Sequence, residues 1–355
     1  MLHDHSTRQI ASVTFDPHVY RTGHTGDNWC QTWAGDDHVY TSMDDGTGWR
    51  RDGRRYNNHV FRLAGGPEPF TAHRLDGYPD YPFPNEWYGY GILAADGVIY
   101  HFITCASRRC FGAPFRGAKL IYSPDCGETW MRHDGVDAHQ SPMSKDRSAM
   151  FFWREIEGYP FSNIAFLQAG RDYTDARDDY VYLYSPGGWG REHQLLMARV
   201  PRDRVLDREV YEFFVGRDGD KVARWSRHIT EAGPVHTYPT GYGWYSWLPS
   251  VVYNKPLDLY LMVSGGTGRG GTEFHDRLPS LGIYWACRPW GPWHACYYND
   301  NWYSDDPGNR QYQPKLSPKW ISDDGRELVL VYSDARDGWT TNYHWNQQRL
   351  ILESA

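Results

Sequence analysis

Three acidic residues stand in polar, aromatic stretches of the sequence and could act together on a glycosidic bond. Asp27 lies in GDNW, Glu86 in NEWY, and Glu157 in REIEGY close to Glu155. Glycoside hydrolysis needs two carboxyl groups flanking the bond, one as acid and one as base or nucleophile. We predict Asp27 as base or nucleophile and Glu86 or Glu157 as general acid. The remaining carboxylate would tune the pKa of that acid.

These carboxylates also have ordinary structural explanations. Asp27 could cap a turn between Gly26 and Asn28, and the two glutamates could be solvated loop charges. Further acids occur in pairs beside turns, and we predict them to be hairpin residues on the outer rim or bottom face. They are Asp36, Asp37, Asp44, Asp45, Asp178, Asp179, Asp323 and Asp324.

Other residues in the same stretches suit a polysaccharide lyase. Elimination next to a uronic acid uses Tyr or His to move the C5 proton and a cation to neutralise the carboxylate. His24, Tyr245 and Arg310 are predicted for these roles in the lyase alternative. Arg310 could bind the sugar carboxylate bidentately, or pair instead with a rim Asp. A non-catalytic sugar-binding protein is a second alternative.

The sequence is unusually aromatic, with 17 Trp, 27 Tyr and 14 Phe. Many of these residues stand beside Gly, Pro, Asn and Asp in predicted loops, where a flat ring can stack on a sugar. We therefore predict an oligo- or polysaccharide as the partner. The predicted substrate-binding residues are His24, Asn28, Trp29, Trp87, Tyr88, Tyr90, Asn163, Tyr242, Trp244, Tyr245 and Arg310.

Composition argues against several other functions. The net charge of −7 and the pI near 6.1 give no basic footprint for nucleic acid. No apolar run reaches the length of a membrane span. The 16 histidines show no metal-binding spacing, so we predict no metal and no cofactor, and no motif calls for a structural calcium. The glycine-rich run from Gly265 to Gly271 lacks the strand and helix of a dinucleotide site.

The start of the chain has no secretory signal pattern. We expect a cytoplasmic protein, or alternatively a secreted one whose signal is absent from this sequence. The six cysteines form no CxxC motif. Cys105 and Cys110 could close a hairpin disulfide in an oxidising compartment. The sequence leaves the oligomeric state open.

Residues that could do chemistry need elements to position them, and the sequence contains five imperfect repeats of a turn followed by a β-rich run. The equivalent positions are Val39, Val98, Val181, Leu259 and Leu330. Each repeat divides into up to four strands, but the fifth lacks a fourth strand. The N-terminal run Ile10–Phe15 could supply it and close a ring. We predict one all-β domain over residues 1–355, a five-bladed β-propeller closed by the N-terminal strand, with seven blades as the alternative.

A short motif supports this fold. The run from Ser123 to Trp130 fits the Asp-box pattern S-x-D-x-G-x-T-W, in which the acid bonds its own turn and the glycine takes a positive φ. This is a structural device of propeller blades, and we assign it no catalytic role.

Longer stretches resemble known proteins. GDNWCQTWAGDDHVYTSMDDG, LLMARVPRDRVLDREVYEFFVG, LPSVVYNKPLDLYLMV, RPWGPWHACYY and SPKWISDDGRELVLVYSD run from Gly26 to Asp334. They resemble the five-bladed propeller superfamily of arabinanases, β-xylosidases and fructosidases, and most closely an uncharacterised propeller family allied to it.

The resemblance implies a glycosidase with three acids. Hydrolases of the superfamily place an Asp at the start of the first blade, which Asp27 matches. They place an Asp in the second blade, where this chain has Glu86. They place a Glu general acid in the third, where Glu155 or Glu157 is nearby. Some propellers that act on uronic-acid polysaccharides are instead lyases with His, Tyr and Arg centres.

Overall fold

The structure is a computed structural model that describes residues 9–50, 52–105, 116–153, 161–187, 191, 193–219, 222–238, 248–267, 279–305, 310–335 and 343–354. The predicted all-β class is confirmed, since these ranges contain strands and only short 3-10 turns. None of their helical segments has the length and hydropathy to cross a membrane. The 3-10 turns are Arg147–Ala149, Arg171–Tyr173, Arg202–Arg204, Arg208–Val210 and Ile229–Glu231.

Twenty-four strands follow one another along the described ranges. They are β1 (Ile10–Thr25), β2 (Gln31–Trp33), β3 (Val39–Gly46), β4 (Tyr56–Gly65), β5 (Phe70–Arg74), β6 (Tyr81–Pro82), β7 (Trp87–Ala95), β8 (Val98–Cys105), β9 (Gly117–Ser123), β10 (Met131–Arg132), β11 (Phe152–Trp153), β12 (Ala165–Gln168), β13 (Tyr180–Pro186), β14 (Gln194–Pro201), β15 (Glu212–Asp218), β16 (Val222–Ser226), β17 (Pro234–Thr237), β18 (Ser250–Asn254), β19 (Leu259–Thr267), β20 (Pro279–Ala286), β21 (His294–Asn299), β22 (Arg310–Ile321), β23 (Glu327–Ala335) and β24 (His344–Ser354).

The strands pair as consecutive antiparallel meanders. Their orders are β2-β3-β4-β5, β7-β8-β9-β10, β12-β13-β14-β15-β16, β18-β19-β20-β21 and β22-β23-β24-β1. The third and fourth meanders join into one sheet, because β12 and β18 pair in parallel over two residue pairs. The short strands β6, β11 and β17 pair with β4, β9 and β14. The repeat positions predicted from the sequence all fall on the second strand of a meander, on β3, β8, β13, β19 and β23.

The first strand of each meander contacts the first strand of the next. β2 packs against β7, β7 against β12, β12 against β18, β18 against β22, and β22 against β2. These inner strands therefore enclose a central channel.

The N-terminal strand completes the last meander. β1 pairs antiparallel with β24, for example Val13 with Leu352 and Phe15 with Leu350. This is the position predicted for Ile10–Phe15. The strand continues to Thr25, ten residues further than predicted, and so delivers the chain directly to the start of the first meander.

Apolar layers fill the space between neighbouring sheets. One layer joins the first and last meanders and contains Trp29, Phe61, Val331 and Trp345, all buried. The indole of Trp29 meets that of Trp345 edge-to-face at a centroid distance of 5.3 Å. Such layers fix each meander relative to the next, because close-packed interiors resist displacement.

The run from Ser123 to Trp130 forms a hydrogen-bonded turn between β9 and β10. Asp125 Oδ1 accepts a hydrogen bond from the Thr129 N–H at 2.8 Å, and Ser123 Oγ accepts one from the Gly127 N–H at 2.7 Å. Gly127 has a φ of +90°, and the Trp130 indole donates to its carbonyl at 3.1 Å. All of these groups serve the turn, in agreement with the structural role predicted for them.

Candidate active site at the mouth of the channel

Asp27 lies where the chain passes from β1 to β2, at one end of the ring of inner strands. It forms an isolated antiparallel bridge with Asp44, and each residue donates its backbone N–H to the other's carbonyl at 2.9 Å. The side chain of Asp27 is 8% exposed, and the Tyr343 hydroxyl donates a hydrogen bond to its Oδ2. Asp27 is thus a buried carboxylate at the channel mouth, and its backbone is part of a strand pair instead of a loose turn.

Asp44 is the second carboxylate of this site, and the prediction that it belongs to a hairpin turn is wrong. It is buried within β3. Its Oδ1 accepts from the Gly89 N–H at 2.8 Å and its Oδ2 from the Asn28 amide at 3.1 Å. Burial, followed by the charge of Asp27, raises the pKa of Asp44 well above its usual value. The neutral form of Asp44 is therefore favoured.

The sequence Asp44-Asp45-Gly46 looks like a turn but continues a strand for a local reason. A Cβ at Gly46 would lie 2.0 Å from the Thr25 carbonyl oxygen. Glycine is thus needed where β1 crosses the end of β3, so this glycine allows a close approach and does not mark a hairpin.

The other predicted turn acids include clear examples of turn chemistry. Asp37 has a φ of +66° and accepts from the Trp33 indole at 2.9 Å. Asp178 accepts from the Tyr180 N–H at 3.1 Å, and Asp324 from the Arg326 N–H at 3.0 Å. These bonds are local, as predicted.

Asn28 links the first two meanders. Its backbone has a φ of +52°, which asparagine tolerates better than most residues. Its Nδ2 donates to Asp44 Oδ2 and also to the Gly89 carbonyl at 3.0 Å. This predicted binding residue is 1% exposed, so it positions Asp44 and does not line an open surface.

Tyr88 and Tyr90 stand together on β7. Their rings are nearly parallel, with centroids 6.5 Å apart and an interplanar angle of 13°. They are buried with Ala165 and Leu248, which come from the third and fourth meanders. Burial, and then the charge of Asp44, raises the pKa of Tyr90 well above its usual value. Tyr90 therefore lies next to the acidic pair, with the ring of Tyr88 beside it.

Lys315 on β22 adds a buried cation that the sequence analysis missed. Its ammonium group donates to the Leu248 carbonyl and to Gln313 Oε1, both at 3.2 Å. Burial lowers the pKa of Lys315, although Cys30, Asp27 and Asp44 act in the opposite direction. Burial likewise raises the pKa of the Cys30 thiol to about 11. A lone lysine in a strand carries no sequence signal of such burial.

Several predicted site residues are placed elsewhere. Trp29 and Trp87 are 0% and 1% exposed and belong to the layers between meanders, so neither offers a face for a sugar, contrary to expectation. Glu86 forms an ion pair with Lys145 on a partly exposed part of the rim. The His24 ring packs on Trp49 at 5.3 Å, and burial lowers its pKa.

Of the remaining predicted residues, one is buried and the others lie outside the described residues. Asn163 is 1% exposed, and its amide atoms have no hydrogen-bond partner among the described residues. Glu155, Glu157, Tyr242, Trp244, Tyr245 and Cys110 lie outside the described residues, as does the side chain of Arg310. Within the described ranges, no three His, Cys, Asp or Glu side chains group as metal ligands.

Solved structures share this fold at low sequence identity. A provisionally assigned hydrolase from Bacteroides ovatus is 13% identical with a TM-score of 0.54, and the match covers 93% of this chain and 87% of that one. The Bacillus subtilis arabinanase Arb43A is 10% identical with a TM-score of 0.52, over 96% of this chain and 97% of that one.

A xylan β-1,4-xylosidase from Bacillus halodurans is 9% identical with a TM-score of 0.51, over 94% of this chain and 54% of the xylosidase. This chain therefore spans about half the length of that enzyme. Among curated proteins, no sequence matches this chain.

Fold and matches together show an all-β chain that shares its fold with solved structures of an arabinanase and a xylosidase, in line with the sequence resemblance. The sequence model of the family described as Domain of unknown function (DUF4185) matches residues 90–347. The chain belongs to this family.

Proposed function

We propose that the chain is a single-domain, five-bladed β-propeller that hydrolyses glycosidic bonds in an oligo- or polysaccharide. Support for five blades comes from the antiparallel meanders, their ring of inner-strand contacts and the pairing of β1 with β24. Seven blades would require further sheets, and the strands of the long third and fourth repeats are already paired within one sheet.

The observation that carries the reaction is the carboxyl pair of Asp27 and Asp44 at the mouth of the channel. Two like charges in one low-dielectric site cannot both ionise readily, so their pKa values separate. Asp44 takes the neutral form, and Asp27 is then the ionised base or nucleophile. The Tyr343 hydroxyl orients the Asp27 carboxylate.

The general acid must come from across the bond. The Glu86 carboxylate is held by Lys145 on the rim, so we assign the acid role to Glu157 of the third repeat. The stacked pair of Tyr88 and Tyr90 forms part of the wall next to Asp27. Sugars with neutral rings suit this wall better than uronic acids, because the ionised Asp27 would repel a substrate carboxylate. Hydrolysis is therefore favoured over elimination.

The test is a panel of plant and microbial glycans incubated with the protein while reducing ends and the ultraviolet absorbance of unsaturated uronates are recorded. Hydrolysis produces reducing ends alone, whereas elimination also raises the absorbance. Binding without either signal would leave a non-catalytic sugar-binding protein and contradict the proposal.

A pair of variants assigns the base. Asp27→Asn keeps the shape of the side chain and should lower the turnover rate by about 10²–10⁴-fold, the usual contribution of an acid–base group. Asp323→Asn changes an exposed turn aspartate and should retain full activity. Equal activity of the two variants would remove Asp27 from the reaction.

A further inference from the structure

The central channel contains a cavity beyond the acidic pair. It has a volume of about 20 Å³, and each inner strand contributes to its wall. The polar residues that face it include Gln31 of β2, Gln168 of β12, Ser250 of β18 and Lys315 of β22. One water molecule needs about 10–15 Å³ on this measure, so the cavity has room for one small guest.

Gln31 is the first unexplained group in this wall. Its side chain is 4% exposed, and neither its Nε2 nor its Oε1 has a hydrogen-bond partner among the described residues. A buried polar group without a partner is unfavourable. Gln168, by contrast, donates to the Ile92 carbonyl at 2.8 Å. The amide of Gln31 is therefore available to bind a guest in the channel.

Lys315 is the second unexplained group in this wall. An ammonium group has three N–H donors, and two of them are used by uncharged oxygen atoms, those of Leu248 and Gln313. No carboxylate in the described part of the chain forms an ion pair with it, although it is 1% exposed. A buried charge without a counterion is unfavourable.

The side chains of the wall determine the sign of the charge that a guest must carry. None of the described residues that line the cavity is acidic, so the wall lacks the carboxylate ligands that divalent cations prefer. The carboxylates of Asp27 and Asp44 do not line the cavity. An ammonium group and an amide NH₂ together form a donor set for an anion.

We propose that the central channel binds a small monovalent anion of the size of chloride between the Lys315 ammonium group and the Gln31 amide. The anion supplies the counterion for the lysine and the acceptor for the amide. It stabilises the ring of inner strands, because β2 and β22 contribute these two donors and pack against each other.

The experiment compares thermal unfolding in sodium chloride with unfolding in sodium gluconate at equal ionic strength, because gluconate is too large for the cavity. Since an anion that binds only the folded state raises its stability, the midpoint should rise with chloride concentration. A crystal soaked in sodium bromide should show an anomalous peak between Lys315 and Gln31. Equal midpoints in the two salts together with no bromide peak would overturn the proposal.

Variants make the test specific. Lys315→Met should abolish both the chloride effect and the bromide peak. Lys119→Met is the matched control, because Lys119 is equally buried but donates to the Pro142 carbonyl, away from the channel; this variant should keep both signals. If Lys315→Met does not fold, Gln31→Leu provides the test. It should raise the chloride concentration that gives half of the midpoint increase by at least about tenfold, since charge-assisted sites weaken strongly when a donor is lost. Loss of the chloride effect in Lys119→Met, or an unchanged effect in Lys315→Met or Gln31→Leu, would contradict the assignment.

Discussion

Asp27 and Asp44 lie directly opposite each other across an antiparallel bridge and exchange two backbone hydrogen bonds of 2.9 Å. Side chains at such positions leave the strands on the same side, with Cβ atoms about 4.5–5.5 Å apart. The backbone therefore fixes two carboxyl groups beside each other before any side-chain contact is made. One proton shared unequally between them is the least costly state of a buried pair. Burial and the charge of Asp27 raise the pKa of Asp44 and so favour the proton there, although the hydrogen bonds donated by Asn28 and Gly89 act in the opposite direction.

The first prediction concerns the pH dependence that Asp44 imposes on stability. Its pKa is raised in the folded protein, so the folded state binds more protons than the unfolded state above the ordinary aspartate pKa. Stability must then fall as pH rises from about 4 toward the folded-state pKa. Asp44→Asn removes this titration, so the variant should gain stability relative to the wild type as pH rises from about 4.5 to 7.5.

Urea unfolding of both proteins at several pH values in that range measures the effect. The amide also loses the hydrogen bond that Asn28 donates to Oδ2, which costs about 1 kcal/mol at every pH. That constant loss does not alter the trend. A stability difference that is the same at all pH values would show that Asp44 titrates normally.

Asp44 also shows why part of the site could not be predicted from sequence. Local patterns identify turns and strands well, and the hairpins, the five repeats and the closing role of the N-terminal run were predicted from them. An Asp-Asp-Gly sequence, however, has the same local signal in a turn and at a strand end. Only the distant contacts with Thr25 and Gly89 distinguish the two.

The aromatic residues illustrate a second limit. Tyr88 and Tyr90 lie buried together beside the third and fourth meanders, whereas Trp29 and Trp87 are buried in the layers between meanders. All four stand in similar polar and aromatic sequences. Strand alternation sends neighbouring side chains to opposite faces, so a shift of one position decides between a wall of the site and the core.

The second prediction concerns Gly89, which holds the acidic pair from the second meander. Its N–H binds Asp44, and a Cβ at this position would lie 2.2 Å from Asn58 Oδ1 and 2.9 Å from His101 Cε1. Gly89→Ala should therefore destabilise the protein by at least about 1–3 kcal/mol, the usual cost of overpacking. Thermal or urea unfolding measures the change.

Gly66→Ala is the control for this substitution. Gly66 is exposed, and a Cβ there meets no atom within 4 Å. This variant should have the stability of the wild type within about 0.5 kcal/mol. If Gly89→Ala also left the stability unchanged, this result would contradict the close packing of β7 against Asn58 and His101.

The third prediction concerns acid sensitivity. His101 is fully buried, and burial lowers its pKa to about 3. Burial likewise lowers the pKa of His59 to about 3. A folded-state pKa below the unfolded value means that stability is fully present above about pH 6.5 and is lost as pH falls toward 3. Each histidine should contribute a slope of up to about 1.4 kcal/mol per pH unit.

His101→Asn tests this slope, because the amide can replace Nδ1 in the 3.0 Å hydrogen bond with Tyr78. The variant should be less stable at neutral pH but should lose less stability between pH 6 and 4. His73→Gln, at an exposed position, should keep the wild-type slope. A steep acid dependence that survives in His101→Asn would assign the effect to other groups.

The fourth prediction separates packing from sugar binding at Trp29. Its indole is fully buried, donates to Ser333 Oγ at 3.0 Å and contacts Trp49 and Trp345 edge-to-face. Trp29→Ala should cost about 3–5 kcal/mol, the usual loss for a buried aromatic residue. Trp33→Ala removes a partly exposed indole whose N–H binds Asp37 at 2.9 Å, and should cost only about 1 kcal/mol.

The sugar affinity of Trp29→Ala, measured below the lowered unfolding temperature of this variant, should equal that of the wild type. A weakened affinity with little loss of stability would instead place Trp29 against the substrate, because a packing residue acts through the folded fraction and a stacking residue acts through binding.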